Sequence, residues 1–225
     1  MTEKIFMLWR EFYGVFKKDQ RKMFMLAILQ NVRLSLQAIV MTQPLVFLAV
    51  PVIGIALFHA SQGPYLLSFK SLYLLLIAAT MLFVVFASLF IVARPSLERK
   101  DFAYVWGYLS KFFLSFALLF PVIVLCPFIG FFVLDETPGY KGALRAVGQG
   151  LLVLLYALPV VFLLYATLLV LVFSSFLLSG FLAKLGFFSA LFAGIPLFMA
   201  MQLVISVHAV FYTRIKHTQH QFFFN

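Results

Sequence analysis

The chain has 225 residues, of which 64% are hydrophobic and 11% charged, with a formal net charge of +10, whereas soluble domains carry roughly a quarter charged residues. That composition excludes a soluble globular protein, and five spanning helices of about 20 residues each, with their connections, are expected to leave no room for a soluble catalytic domain. The basic residues flank apolar runs instead of forming one patch, which suits anionic lipid headgroups and argues against nucleic acid as a partner. The single cysteine, Cys126, excludes an internal disulfide and reads as a packing residue.

Residues 1–33 read as a basic amphipathic N-terminal segment. Ile5, Leu8, Phe12 and Phe16 recur at helical spacing, while Lys17, Lys18, Arg21 and Lys22 crowd the far end, a pattern that places the segment on the membrane surface. Residues 34–213 read as the transmembrane domain. Its first crossing centres on Leu45 to Phe58 and is bent by Pro44 and Pro51. A turn at His59 to Pro64 leads to a second span, Ser71 to Ala93, closed by Arg94 and Pro95. Ser96 is a plausible cap for a short interfacial helix that carries Arg99 and Lys100, with Tyr104, Trp106 and Tyr108 at headgroup level. Arg99 and Lys100 join the four earlier cations as expected contacts of the membrane surface.

Phe112 to Leu134 is expected as the third span, interrupted by Pro121 and Pro127. After Asp135 and Glu136, Thr137 is placed to cap a helix beginning at Pro138, with Tyr140, Leu144, Val147 and Leu151 on one stripe. No charge occurs from Ala146 to Ala183. A single span near Leu151 to Phe173, followed by an embedded or interfacial stretch through Ser174, Ser175, Ser179 and Gly180, is the preferred reading. A tight hairpin, which would make six spans, is the alternative. The fifth span is Phe187 to Phe211. Near its start Gly186, Ala190 and Gly194 repeat every four residues, the small-residue spacing that lets two helix backbones approach. That face serves either packing within the chain or a protein partner or second copy. Residues 214–225 read as a polar C-terminal tail.

The run from Gly130 to Leu151, an apolar span, an acidic pair, a turn and then Gly142-Ala-Leu-Arg145 entering another span, resembles the membrane domain of some bacterial glycerophosphodiester phosphodiesterases and its stand-alone relatives. Ala146 and Val147 stand where that family often has serine or tryptophan. The resemblance implies a polytopic protein whose catalytic work belongs to a separate soluble domain, and it carries over no functional residue.

Positive residues favour the cytoplasmic side. With five spans, Lys4, Arg10, Lys17, Lys18, Arg21, Lys22, Arg33, Arg94, Arg99, Lys100, Lys111 and Lys184 outnumber Lys70, Lys141, Arg145, Arg214 and Lys216 on the opposite side. A cytoplasmic N-terminus in a bacterial-type inner membrane is expected. The tail lies outside with five spans and inside if 146–183 is a hairpin.

Chemistry is sparsely encoded. Ser179-Gly180 with His208 in the next span resembles the serine and histidine pair of intramembrane proteases, but Leu177 replaces the first glycine of that motif. His217 and His220 are two ligands where a metal site needs more. Asp135 and Glu136 are neighbours and read as capping or solvated residues. The expectation is an all-α polytopic helical bundle without intrinsic catalysis, cofactor or metal. It would act through lipid or a protein partner, with a permease or lipid transporter as the alternative.

Overall fold

The protein was analysed as a computed structural model that describes residues 18–42, 45–61, 69–94, 102–156 and 158–223. These form an all-helical bundle. Its helices are α1 (Lys18–Thr42), α2 (Leu45–Ser61), α3 (Phe69–Ala93), α4 (Phe102–Leu125), α5 (Phe128–Asp135), α6 (Tyr140–Tyr156), α7 (Leu158–Lys184), α8 (Phe187–Ala190) and α9 (Gly194–Phe223). Among the described residues, five helical stretches are long and apolar enough to cross a membrane: Arg21–Met41, Leu76–Ala93, Ala103–Leu125, Tyr165–Lys184 and Phe187–Lys216. The chain is an integral membrane protein of the helical-bundle class.

The boundaries of the spans differ from the expected ones in physically informative ways. The long apolar helix at the start is α1, which runs across residue 33 without a break, while Leu48–His59 is a shorter apolar stretch. Arg33 does not end the helix because its side chain is exposed and the buried face is carried by Ile28, Ser35, Ala38 and Ile39. Residues 1–17, and with them the Ile5 to Phe16 stripe, lie outside the described residues, as do the His59 to Pro64 connection from residue 62 onward and residues 95–101.

The expected third span is divided. Residues from Phe102 onward already belong to α4, which continues through Pro121 to Leu125, and the chain then turns at Cys126 and Pro127 into α5. Proline at 127 has no amide hydrogen to donate, which suits the first position before a new helix. Eight residues of α5 rise only about 12 Å, too little to cross. Instead α5 doubles back beside α3 and α9: Phe131 lies 5.0 Å from Phe90 and 5.4 Å from Tyr212, ring centre to ring centre. Phe128 through Leu134 are all buried, which makes α5 the centre of the core. It is seated by Gly130, where a Cβ would come within 2.5 Å of the Phe90 ring.

The long uncharged interval is helical as α6 and α7, on either side of residue 157, which lies outside the described residues, with Pro159 at the second position of α7. The expected span Leu151 to Phe173 overlaps both helices, and Ser174, Ser175, Ser179 and Gly180 are part of α7. Helix α6 begins at Tyr140, after Gly139 at φ +112, so Thr137 and Pro138 precede the helix. Its buried stripe is Gly142, Ala143, Ala146, Gly150 and Val153, while Tyr140, Leu144 and Leu151 are exposed. In lipid this inversion is favourable: large apolar side chains gain nothing by leaving the hydrocarbon, and small ones let backbones meet.

Two ends of the bundle follow from the contacts. At one end Phe24 of α1 packs on Phe211 of α9 at 4.7 Å, the Arg214 guanidinium sits 5.4 Å from the Phe24 ring, and Asn31 donates to the Ala93 carbonyl at 3.0 Å. The start of α1, the end of α3, the end of α5 and the last turns of α9 therefore share this end. At the other lie the end of α2 and the turn through α8, joined by Phe58 and Phe187 at 6.4 Å. From Gly194 to Lys216, α9 rises about 33 Å, comparable to the ~30 Å hydrocarbon core of a bilayer. Five stretches of spanning length are present, but the expected sides, with Arg94 opposite Asp135 and Arg214 opposite the N-terminal segment, are not the observed arrangement, because Arg94 pairs with Asp135 and Arg214 lies over Phe24. The residues from 214 onward, expected as a polar tail, continue α9 through Phe223.

Candidate functional site

After Asp101 the chain has only two carboxylates, Asp135 and Glu136, among many cations. The turn at Cys126 and Pro127 returns Asp135 to the end of α3. There the Arg94 guanidinium pairs with Asp135 Oδ1, while Asp135 Oδ2 accepts from the Tyr212 hydroxyl and from the Lys216 ammonium. Arg94 also donates from Nη1 to the Leu134 carbonyl at 3.3 Å. The last carbonyls of a helix lack intrahelical donors and carry partial negative charge, and a carboxylate there is unfavourable. Arg94 and Lys216 offset both charges. Next door, Gln149 of α6 donates to Glu136 Oε1 at 2.9 Å, and the Gly139 amide donates to Ser115 Oγ of α4 at 3.2 Å.

The cluster is partly withdrawn from solvent. Asp135 and Arg94 side chains are 15% and 16% exposed, whereas Lys216 is 44% exposed. Both carboxylate oxygens are thus engaged in joining α3, α5 and α9, and the outward-facing member is a cation. Basic character extends around this end through Arg21, Lys22, Arg33, Lys111 and Arg214, while Lys70 and Lys184 occupy the helix ends opposite.

The expected site residues fall as follows. Arg21 and Lys22 are exposed on the first turns of α1, and Lys18 opens that helix; Lys17, Arg99 and Lys100 lie outside the described residues. Gly186, Ala190 and Gly194 do not share one helix. Gly186, at φ +141, sits at the N-cap of α8; Ala190 ends α8 and Gly194 opens α9. Close approach is present nonetheless, within the chain: a Cβ on Gly194 would lie 2.3 Å from the Val50 carbonyl oxygen, and one on Gly54 would lie 1.7 Å from that of Ala190. A Cβ on Gly186 would meet nothing within 4 Å.

Ser179 and His208 are not brought together. The His208 ring packs on Tyr165 of α7 at 5.6 Å, and Ser179 lies fourteen positions further along that helix, about 21 Å at 1.5 Å per residue. Among the described residues no three His, Cys, Asp or Glu side chains converge as a metal site. The side chains of His217 and His220 are outside the described set. No known protein family, curated protein or solved structure matches the chain.

Proposed function

We infer that the protein acts in a bacterial-type inner membrane by association, with anionic lipid headgroups or with a protein partner, and without intrinsic catalysis. The observation that supports this is the gathering of Arg21, Lys22, Arg33, Arg94, Lys111, Arg214 and Lys216 at one end of the bundle. By the positive-inside rule that end faces the cytoplasm, where anionic lipids add roughly 1 kcal/mol of attraction per nearby cation. The start of α1 and the last turns of α9 are cytoplasmic on this reading. The resemblance over Gly130 to Leu151 is offered in the same sense, as that of a membrane domain that assists chemistry located elsewhere. Native mass spectrometry of protein released by lipid-preserving extraction tests the proposal. Retained anionic phospholipid or a defined protein partner is expected; a bare monomer contradicts it.

A second reading, a permease or lipid transporter component, is favoured by one feature. The α4–α5 pair is a helix broken at Cys126 and Pro127 inside the bundle, and broken helices at membrane depth commonly line transport sites. Movement of a labelled phospholipid between leaflets of vesicles containing the purified protein would support this reading over the first.

A further inference from the structure

His208 is fully buried on α9, and its Nδ1 lies 2.7 Å from the Val204 carbonyl oxygen. A carbonyl only accepts, so Nδ1 carries the ring proton and Nε2 presents a bare lone pair. That Nε2 has no hydrogen-bond partner, and neither has the buried hydroxyl of Tyr165, whose ring centroid is 5.6 Å from the imidazole. The two groups are complementary, an acceptor lacking a donor beside a hydroxyl whose polar neighbour is the weakly accepting Cys126 thiol. Polar groups left unpaired at membrane depth are costly, because no bulk water reaches them. Phe128 holds the imidazole from a second side at 4.7 Å, and the buried Cys126 thiol lies beside the Tyr165 hydroxyl.

We propose that Tyr165 and His208 together bind one hydroxyl group, which accepts from the Tyr165 hydroxyl and donates to His208 Nε2. The Cys126 thiol neighbours the Tyr165 hydroxyl, and a buried water characteristically has two to four polar partners. The group is either water or the alcohol of an amphiphile. Tyr165 is carried by α7, which exposes Phe162 and Leu169 on either side of it. The site lies one helical turn from Tyr212 of the Asp135 cluster but uses other polar atoms, and it holds or fails independently of lipid association at the basic end.

The test reads the His208 imidazole by nitrogen NMR on the full chain in nanodiscs, with His59, His217 and His220 replaced by Gln so that one histidine remains. The expected result is a protonated Nδ1 and an unprotonated, hydrogen-bonded Nε2, in the otherwise unchanged protein and in Tyr165→Phe, where the bound hydroxyl still donates. A protonated Nε2, or one free of any hydrogen bond, overturns the proposal. So does loss of the hydrogen bond in Tyr165→Phe, which would mean that Tyr165 donates directly. Exhaustive delipidation separates the sources. A hydrogen bond that persists assigns water, one lost and restored by octanol assigns a lipid alcohol, and one lost but not restored overturns the site.

Discussion

Arg94 and Asp135, 41 residues apart in the chain, form an ion pair at one end of the bundle. The pair requires that everything between them leave and return to the same end. Helix α4 and the eight-residue α5 do this as a hairpin, closed by the Cys126 and Pro127 turn. The same carboxylate then takes Tyr212 and Lys216, so one acidic residue joins the ends of α3 and α5 to the side of α9.

Removing that carboxylate should be the most damaging polar change in the cluster. Asp135→Asn leaves Arg94, only 16% exposed, without its counter-charge, and breaking a largely buried pair from one side costs about 3 kcal/mol. Lys216→Met should cost below about 1 kcal/mol, because that side chain is half in solvent. Unfolding of the detergent-solubilised variants, with Arg94→Gln added for a double-mutant cycle, measures both. Equal losses from Asp135→Asn and Lys216→Met would contradict the assigned geometry.

The contact of α2 with the α8–α9 turn depends on bare backbone. Gly54→Ala places a methyl group against the Ala190 carbonyl, within 1.7 Å if nothing moves, and overpacking of this kind costs about 1–3 kcal/mol. Gly148 of α6 provides the contrast, since a Cβ there meets nothing within 4 Å, and alanine is the better helix former by up to about 1 kcal/mol. Thermal unfolding should therefore fall for Gly54→Ala and hold or rise for Gly148→Ala. A loss in Gly148→Ala as large as that in Gly54→Ala would argue against the close approach.

Ser179 is fully buried and its hydroxyl has no partner. Deleting an unsatisfied polar group removes a desolvation penalty of about 1 kcal/mol or more, so Ser179→Ala should stabilise the protein. Destabilisation by a similar amount would mean that the hydroxyl is satisfied in the folded membrane protein.

The class of the fold was legible because hydropathy alone identifies apolar stretches of spanning length, and uncharged 146–183 could belong to nothing else. The breaks were less legible. Pro121, Pro127 and Pro159 signal interruption equally in sequence, yet α4 runs through Pro121 while the chain turns at Pro127. What separates them is tertiary: only the second turn returns Asp135 to Arg94. The Asp135 cluster was not legible, since an adjacent acidic pair after an apolar span reads as capping or solvated. Which cations they meet depends on α5 doubling back, and periodicity does not report that. Tyr212 and Lys216 were missed because a lone tyrosine and lysine near the end of a span read as interfacial anchors. The small-residue repeat at 186, 190 and 194 pointed to close packing but not to its geometry, because Gly186 and the α8 turn break the helix that the spacing presumes.

The most direct measurement of the account is cysteine accessibility across the membrane, in a Cys126→Ala background carrying Lys22→Cys, His220→Cys or Lys184→Cys one at a time. An impermeant thiol reagent should label positions 22 and 220 only in inverted vesicles and position 184 only in right-side-out vesicles. That result would place the basic end, with both the start of α1 and the end of α9, at the cytoplasmic face. Labelling of 22 and 220 from opposite faces would contradict the arrangement of helices, and labelling of both from the outside would contradict the proposed orientation.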